Sequence, residues 1–507
     1  MLDSLLEDTS AKLPLNVALI FEGKSYTYTD LCRLTRSLSA ALQEQGVQPG
    51  DRVAFLLPNC PEIVLCYYAC FKIGAIAVPL NVCFSAELLQ YAINHSSARV
   101  LISEPNLYAQ IAIIRASLPE VKQCYLTSRH LEFEGVRPFT ELLAATTSHL
   151  KFEPSSANRP AAIYYTSGTT GLPKAVIHTH ASLARATQNQ IDQIMITSAD
   201  TTLILFPICY LIGFGSQILP FHKAGATCVL LPQFEPQATL AAIEKYKPTK
   251  TYAFPKLYHE LIDCPDAGAY NVKSLNFCFS AGEAIATAIQ RRFRQIFGVE
   301  ITEGCGMTEL QIYSMNPPYA QKKVGSIGKP IAGMDLSLID ESGRSISTPR
   351  QIGEMIVRGG GMTAGYWRDA TLTSQTIKDG WFHTGDLAYQ DEQGFYWFVS
   401  RKSEIIKNEA GLVSPIEVEG ALYEHPAVTE AGAIGVPDEF GGEVPQAYVV
   451  LRQVAEAVTE SQLIDFLRSR LPGYKVPTHI TVTDHLPHGP TGKIDRKALR
   501  EKALAPH

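Results

Sequence analysis

Short runs of apolar and β-branched residues alternate along the chain with longer stretches whose apolar positions recur at helical spacing. The runs include Val53–Leu57, Val100–Ser103 and Thr227–Leu231, and amphipathic stretches such as Thr29–Glu44 and Glu62–Ile73 lie between runs of this kind. This alternation is typical of parallel sheets whose strands are connected by helices. It predicts an α/β fold for the larger, N-terminal part of the chain.

The pattern changes near residue 330. The segments Val324–Pro330, Leu336–Asp340 and Glu354–Arg358 are short apolar runs separated by glycine-containing turns. Such spacing favours strands over helices. We therefore predict a β-rich subdomain over about residues 324–400.

The last hundred residues predict a small α+β unit. Ser414 is a suitable helix cap, Pro415 suits the first helical position, and Glu417 stands where it would close a capping box. A second helix is predicted over Ser461–Arg470. We expect an N-terminal domain of residues 1–402 and a C-terminal domain of residues 403–507.

Composition and charge narrow the class of protein. The 507 residues carry a net charge of −6, whereas nucleic-acid binders concentrate lysine and arginine. The eleven cysteines are irregularly spaced, which favours reduced thiols over a disulfide or zinc framework. The acidic N-terminus lacks the basic and apolar regions of a signal peptide, and no apolar run reaches the roughly 18 residues of a spanning helix. These features predict a cytoplasmic protein.

The strongest local signal is the string Tyr-Tyr-Thr-Ser-Gly-Thr-Thr-Gly-Leu-Pro-Lys over 164–174, which follows the predicted strand Ala162–Thr166. Its glycines let backbone amides approach a ligand closely, and its hydroxyls and terminal lysine add further donors. The string lacks the Gly-x-x-x-x-Gly-Lys-Ser/Thr spacing of a Walker loop. It predicts a phosphate-binding loop of another kind.

Four further motifs follow in order along the chain. They are Ser-Ala-Gly-Glu-Ala at 280–284, Gly-Cys-Gly-Met-Thr-Glu at 304–309, Gly-Trp-Phe-His-Thr-Gly-Asp at 380–386 with Ser-Arg-Lys-Ser at 400–403, and Pro-Thr-Gly-Lys-Ile-Asp-Arg at 490–496. Together with the loop at 164–174, they resemble the ordered motifs of the adenylate-forming superfamily. That superfamily contains acyl-CoA synthetases, nonribosomal-peptide adenylation domains and luciferases, and the resemblance spans roughly residues 25 to 500.

The resemblance implies a ligase that uses ATP, Mg²⁺ and CoA. It implies that Thr308 contacts the ATP phosphates, that Glu309 holds Mg²⁺, and that Lys493 contacts both the acyl carboxylate and the α-phosphate. Asp386 and Arg401 would bind the ribose, and Cys305 replaces the aromatic residue that usually stacks on adenine. The full set of implied ATP-binding residues is Thr166, Ser167, Gly168, Thr169, Thr170, Gly171, Lys174, Gly282, Glu283, Ala284, Cys305, Asp386 and Arg401.

The resemblance also implies an acid pocket, a hinge and a thiol tunnel. The segment Phe206–Gly215 carries no charge, so an α-amino acid is disfavoured because its ammonium group would have no partner there. The pocket is expected to be apolar and partly aromatic, for an aryl, medium-chain or fatty acid. Its expected residues are Tyr210, Gly213, Phe254, Phe279, Gly304 and Leu310, with Ile312 and Tyr313 nearby. Ser403 would be the hinge of a mobile C-terminal domain, and Ala410 and Gly411 would lie along the tunnel.

Several alternatives stay open at the level of sequence. CoA is the expected acceptor, and the phosphopantetheine of a carrier protein is the alternative, because Glu409 and Ala410 depart from the glycine-rich loop usual in the family. Adenylation without thiol transfer is a further possibility. A non-catalytic nucleotide-binding protein is the alternative of another class, and it would predict the loss of Lys493 or Glu309. No nucleic acid and no membrane span are expected, and the protein is expected to be a monomer or a homodimer.

Overall fold

Two large sheets and a smaller β-rich layer precede a compact C-terminal unit. The structure is a computed structural model that describes residues 1–128, 133–145, 156–166, 172–438, 442–452, 458–489 and 493–505. No helix within these ranges is both long and apolar enough to cross a bilayer. The mixed α/β class predicted from the sequence is confirmed.

The strands follow one another in this order. Those of the first half are β1 (Val17–Phe21), β2 (Lys24–Thr27), β3 (Arg52–Leu56), β4 (Ile76–Pro79), β5 (Val100–Ser103), β6 (Gln123–Leu126), β7 (Arg137–Pro138), β8 (Pro160–Thr166), β9 (Lys174–Thr179), β10 (Thr201–Ile204), β11 (Thr227–Leu230), β12 (Lys250–Ala253), β13 (Phe277–Ser280), β14 (Ile301–Met307) and β15 (Gln311–Met315). Those of the second half are β16 (Lys329–Pro330), β17 (Met334–Ile339), β18 (Gly353–Gly359), β19 (Gly365–Tyr366), β20 (Ile377–Lys378), β21 (Trp381–Gln390), β22 (Tyr396–Arg401), β23 (Ile406–Asn408), β24 (Gly411–Val413), β25 (Val428–Pro437), β26 (Glu443–Leu451) and β27 (His479–Val482).

The helices alternate with these strands. They are α1 (Leu5–Lys12), α2 (Tyr28–Glu44), α3 (Pro61–Ile73), α4 (Ala86–Ser96), α5 (Pro105–Ile114), α6 (Thr140–Leu143), α7 (His180–Ile194), α8 (Leu211–Gly213), α9 (Leu219–Ala224), α10 (Pro236–Tyr246), α11 (Pro255–Asp263), α12 (Thr287–Phe297), α13 (Ala370–Thr376), α14 (Pro415–Leu422), α15 (Glu460–Arg468) and α16 (Arg496–Leu504). A π-helical turn over Phe214–Ile218 joins α8 to α9.

Each large sheet is mostly parallel, as the alternation of strands and helices predicts. One sheet has the order β16-β15-β14-β13-β12-β10-β11-β1-β2, and the other has the order β19-β9-β8-β4-β3-β5-β6-β7. The carboxyl ends of parallel strands meet at one edge of a sheet, and ligands bind there in open α/β folds. The motifs at 164–174, 280–284 and 304–309 all lie at such strand ends.

Helix α3 packs between the two large sheets. Nearly every residue of this helix is buried, as its apolar character on all faces requires. The hydroxyl of Tyr67 donates a hydrogen bond to the Ile208 carbonyl at 3.0 Å, and the Tyr67 ring stacks on Phe214 with centroids 3.7 Å apart. The segment around 208–214, which follows β10 of one sheet, is thus fixed against a helix that packs on the other.

The β-rich layer contains β17, β18, β20, β21 and β22. Only Lys329–Pro330 of the predicted strand Val324–Pro330 is extended, because Gly325 and Gly328 adopt φ angles of +87° and +79° that interrupt a strand. Gly328 pairs with Tyr396 of β22 and so links this layer to the first sheet.

The C-terminal unit packs α14, α15 and α16 with the sheet β25-β26-β27. The hydroxyl of Ser414 accepts a hydrogen bond from the Glu417 backbone N–H at 3.3 Å and caps α14 as predicted. The predicted capping box is wrong, because the Glu417 carboxylate pairs with Lys475 at 2.7 Å rather than with the Ser414 backbone. The boundary between residues 402 and 403 stays a prediction.

Gly328 tests the link between the β-rich layer and the first sheet. A Cβ at this position would lie 1.9 Å from the Met315 carbonyl carbon, and the backbone φ is +79°. Gly343 has a φ of +80° but no atom within 4 Å of such a Cβ, so it is a matched control. We expect Gly328→Ala to lower the free energy of unfolding by more than about 4 kcal/mol and Gly343→Ala by about 1–2 kcal/mol. Thermal unfolding of both variants measures this, and equal midpoints would contradict it.

Candidate active site

A cavity of about 890 Å³ opens where the carboxyl ends of strands from both large sheets meet. Thr166 at the end of β8, Ser280 at the end of β13 and Gly304–Met307 of β14 form part of its wall. The β-rich layer contributes Phe382–Asp386, and the C-terminal unit contributes Lys493. Its volume and mixed lining suit a nucleotide with a small acid.

Strands β8 and β9 pair antiparallel and carry the two ends of the predicted phosphate-binding string. Thr166 pairs directly with Lys174 across the hairpin, and both line the cavity. The Lys174 ammonium lies 5.8 Å from the centre of the Tyr366 ring. The other predicted members of this loop, Ser167, Gly168, Thr169, Thr170 and Gly171, lie outside the described residues.

Thr308 and Glu309 occupy the turn between β14 and β15 and line the cavity. The imidazole Nε2 of His178 donates a hydrogen bond to the Thr308 carbonyl at 2.7 Å, and burial lowers the His178 pKa to about 4, so the ring is neutral. The Tyr366 hydroxyl donates to Oε1 of Glu309 at 2.9 Å, and Glu309 is only 7% exposed. The carboxylate is therefore held in one orientation.

Asp386 and Arg401 face each other on β21 and β22. Arg401 Nε lies 2.8 Å from Asp386 Oδ1, yet that oxygen accepts no hydrogen bond from the described residues. Burial raises the Asp386 pKa to about 6, although Arg401 and Lys493 act against this shift. A buried carboxylate oxygen that is in ion-pair contact with Arg401 but accepts no hydrogen bond is suited to hydroxyl groups such as those of a ribose.

Lys493 extends from the C-terminal unit into the same cavity. A Cβ on Gly282 would lie 3.7 Å from Cε of Lys493, an ordinary contact distance, but 2.6 Å from Cε1 of Phe254, so a side chain there would collide with the Phe254 ring. Burial lowers the Lys493 pKa, and the nearby Glu283 carboxylate opposes that shift. Residues 490–492 of the same motif lie outside the described residues.

The predicted adenine region contains Glu283, Ala284 and Cys305, all of which line the cavity. The Tyr313 hydroxyl donates to Sγ of Cys305 at 2.9 Å, and burial raises the Cys305 pKa to about 11. This thiol is therefore protonated at neutral pH. Cys305 provides no ring for stacking.

Of the predicted acid-pocket residues, Tyr210, Phe254, Gly304 and Ile312 line the cavity, whereas Gly213, Phe279, Leu310 and Tyr313 do not. The Phe279 ring packs behind Gly304, where a Cβ on the glycine would lie 2.6 Å from Cε2 of the ring. Leu310 is fully buried in the core. Gly213 packs against the Pro207 carbonyl in a tight turn, at 2.7 Å from a Cβ position. These residues support the wall from behind.

Ser403 lines the cavity beside Glu404, whereas Ala410 and Gly411 do not. The latter two lie in the hairpin of β23 and β24, where the Ala410 N–H donates to Asn408 Oδ1 at 3.0 Å and Gly411 lies near Tyr474. In this arrangement the predicted tunnel loop is apart from the ATP-site residues. Its role and the hinge role of Ser403 stay predictions.

The sequence motifs did not indicate Tyr366 or Gln311, and they suggested no role for Arg496. Arg496 lies in the quoted C-terminal motif and pairs with Glu419 at 2.7 Å, so a signal was present. Tyr366 meets Glu309 across 57 positions of sequence, and only the fold brings them together. Gln311 follows the motif at 304–309 by two residues and lines the cavity.

Comparison with known families agrees with this geometry. Residues 6–367 match the family model described as AMP-binding enzyme, and residues 417–493 match the model of the AMP-binding enzyme C-terminal domain. The chain belongs to the AMP-binding enzyme family. The superfamily predicted from the ordered motifs is thereby confirmed.

Relatives of this AMP-binding enzyme cover nearly its whole length. A long-chain-fatty-acid–CoA ligase of Bacillus subtilis (strain 168) is 33% identical, with 100% of this chain and 95% of the relative covered. A feruloyl-CoA synthase of Amycolatopsis sp is 32% identical, with 96% of each covered. The crystal structure of the anthranilate CoA ligase AuaEII in complex with anthranoyl-AMP matches with a TM-score of 0.93, at 29% identity and with 99% and 97% of the two chains covered.

The raised pKa of Asp386 predicts a pH dependence of ATP use. If the Asp386 carboxylate accepts hydrogen bonds from the nucleotide, its protonation weakens binding, so kcat/KM for ATP falls as the pH drops through about 6. Asp386→Asn is expected to lose about 10- to 100-fold at pH 8 and less at pH 5.5. ATP itself titrates in the same way in both assays. The ratio of kcat/KM between wild type and Asp386→Asn therefore reports the protonation of Asp386. A ratio that stays constant between these pH values would contradict the prediction.

The hydrogen bond from Tyr366 to Glu309 predicts a change in magnesium dependence. Tyr366→Phe frees the carboxylate that we expect to hold Mg²⁺, and the Mg²⁺ concentration for half-maximal pyrophosphate release should rise about 10-fold. Tyr396→Phe is the matched control, since that hydroxyl donates to the Leu336 carbonyl away from the cavity. Equal magnesium curves for the two variants would count against the prediction.

Proposed function

We propose that this chain converts a carboxylic acid without an α-amino group, ATP and CoA into an acyl-CoA, AMP and pyrophosphate. The observation that supports this proposal most strongly is that Lys493 shares one cavity with the Asp386–Arg401 pair, the Thr308–Glu309 turn and an apolar wall. Its relatives are named CoA ligases, and the predicted class of AMP-forming acid–thiol ligase is confirmed by them. The acid's identity and the residue roles below are proposals.

The first step joins the acid to AMP. A carboxylate oxygen of the acid attacks the α-phosphorus of ATP, a new P–O bond forms, and the bond to pyrophosphate breaks. Both reactants are anions, so Lys493 stabilises their approach and the charge that develops on phosphorus. Asp386 and Arg401 hold the ribose, and Thr166, Lys174 and Thr308 contact the phosphates. Positioning and electrostatics suffice for such a transfer.

Glu309 is the proposed protein ligand of Mg²⁺. Among the described residues, no group of three or more His, Cys, Asp or Glu side chains could hold a metal ion. Mg²⁺ at nucleotide sites needs only one or two carboxylates, with phosphates and waters completing its shell. A single oriented, buried Glu309 fits that requirement. When bound, the ion neutralises charge on the phosphates.

The second step transfers the acyl group to a thiol. The thiol sulfur attacks the carbonyl carbon, the proton of the thiol is lost, and AMP leaves with the oxygen that linked it to the acyl group. CoA is the proposed acceptor because the relatives are CoA ligases. A carrier protein's phosphopantetheine is the alternative, since Glu409 and Ala410 alter the predicted tunnel loop. We propose that a rotation about Ser403 brings that loop to the cavity between the two steps.

The acid pocket favours a substrate whose chain or ring, apart from the carboxylate, is uncharged. Tyr210, Ile212, Phe254 and Ile312 line it, and the segment around Tyr210 carries no charge. Aryl, medium-chain and fatty acids therefore fit better than amino acids.

We place the protein in the cytoplasm, since all eleven cysteines, each within the described ranges, are free thiols. We propose that it acts as a monomer or a homodimer.

A panel assay tests the proposed function. Pyrophosphate release is measured with ATP, Mg²⁺ and benzoates, fatty acids or amino acids, first without CoA and then with it. Acid-dependent release and an acyl-CoA product would support the ligase. Adenylate formation that CoA fails to discharge would point to a carrier protein. Nucleotide binding with no release for any acid would support a non-catalytic protein.

Lys493 is the residue that this proposal needs most. Lys493→Ala is expected to lower acid-dependent pyrophosphate release at least about 100-fold, because the repulsion between the two anions is then uncompensated. Lys497→Ala is the control, since Lys497 lies exposed in the same segment and pairs only loosely with Glu501 at 3.9 Å. ATP binding should be retained by both variants. Full activity in Lys493→Ala would contradict the assignment.

A further inference from the structure

Gln311 is an unpartnered polar residue in the wall of the cavity. Its side chain is 3% exposed, and neither Oε1 nor Nε2 has a hydrogen-bond partner among the described residues. Buried amides in folded proteins are nearly always hydrogen-bonded, so an exception calls for a physical reason. Gln311 is also one of the residues that line the cavity, so its unpaired amide is buried in the wall of the site.

The backbone at Gln311 is unfavourable as well. Its φ is +58°, a left-handed conformation that glycine adopts more readily than glutamine. The residue starts β15 directly after the turn that carries Thr308 and Glu309, and it pairs with Met307. Strained residues persist where the surrounding structure holds them, and such positions cluster at ligand sites. An unfavourable backbone and an unpaired amide thus coincide at one residue of the cavity.

The amide points toward the segment proposed to hold the acid. A Cβ on Gly215 would lie 3.5 Å from Oε1 of Gln311. Gly215 belongs to the π-helical turn Phe214–Ile218, which directly follows Tyr210 and α8, and π turns are frequent at functional sites. Ser216 of the same turn also lines the cavity. A side chain at Gly215 would collide with Leu211, so the glycine allows the turn to pack close to the amide.

A second unpartnered group lies on another strand of the same wall. The Ser280 hydroxyl is buried, has no hydrogen-bond partner among the described residues, and lines the cavity at the end of β13. The apolar wall formed by Phe254 and Ile312 is therefore interrupted by neutral groups that can both donate and accept hydrogen bonds. Neutral groups of this kind pair with another neutral polar group and leave a second charge on the acid uncompensated.

We propose that Gln311 selects carboxylic acids that carry a hydroxyl group on their chain or ring. The hydroxyl accepts a hydrogen bond from Nε2 or donates one to Oε1, and an unsubstituted acid leaves the amide buried without a partner. This inference rests on the proposed function and narrows its substrate class. A site built to pair with a substrate hydroxyl discriminates strongly against the analogue that lacks it.

The test compares matched acids in wild type and in Gln311→Leu. Benzoate, octanoate and their monohydroxylated positional isomers are assayed for acid-dependent pyrophosphate release. For wild type we expect at least one hydroxylated isomer to exceed its parent about 10-fold or more in kcat/KM. In Gln311→Leu that ratio should fall to near 1, mainly through KM for the acid, while KM for ATP is unchanged.

Gln311→Gly provides the second variant, because it removes the amide and also relieves the left-handed backbone. Ratios near 1 in Gln311→Gly, with a thermal midpoint at or near that of wild type, would support recognition of the hydroxyl. A hydroxyl preference that persists in both variants would overturn the inference, as would a wild type that prefers the unsubstituted acids. Either result would leave the ligase intact. No release with any acid would overturn the proposed function together with this inference.

Discussion

Electrostatic repulsion between a carboxylate and a triphosphate is the constraint that governs how charged residues are arranged around the cavity. The two large sheets bring strand ends together at one cavity, but Glu309 after β14 and Asp386 of the β-rich layer add negative charge to it. Lys493, contributed by the C-terminal unit, reaches Gly282 and adds a cation. Gly282 is needed because a side chain there would collide with the Phe254 ring. The C-terminal unit thus adds a cation to a cavity that the sheets already line with Lys174 and Arg401.

Burial gives these charges their strength and also makes them costly. Burial raises the pKa of Asp386 to about 6 and lowers the pKa of Lys493, so both groups are poorly compensated without a ligand. A site of low dielectric strengthens every contact to a bound anion or hydroxyl. The neutral His178 and the Tyr366 hydroxyl fix the Thr308–Glu309 turn without adding charge. Gln311 and Ser280 are also neutral, and they make the acid side of the cavity selective through hydrogen bonds.

The sequence predicted the fold class, several strands of the large sheets and the β-rich layer, and the ordered motifs, because periodicity and glycine-rich strings are local features. The strand predicted at 324–330 was largely wrong because Gly325 and Gly328 turn the chain, and Glu417 found a distant partner in Lys475. The cavity wall was harder to predict, since an apolar residue such as Phe279 can line a pocket or pack behind a glycine such as Gly304. The role of Tyr366 could not be predicted, because only the tertiary fold brings its hydroxyl to Glu309. Local patterns identify which motifs carry chemistry, and packing decides which side chains reach it.

The proposed two-step mechanism depends above all on the formation of an acyl-AMP intermediate. It is tested most directly with a carboxylic acid labelled with ¹⁸O in both oxygens, turned over with ATP, Mg²⁺ and CoA and analysed by mass spectrometry. Attack of the carboxylate on the α-phosphorus, followed by attack of the thiol on the carbonyl carbon, leaves one acid oxygen in the AMP. The proposed mechanism predicts ¹⁸O in AMP and none in pyrophosphate. Label in inorganic phosphate with ADP as the other product, or unlabelled AMP alongside acyl-CoA, would contradict it.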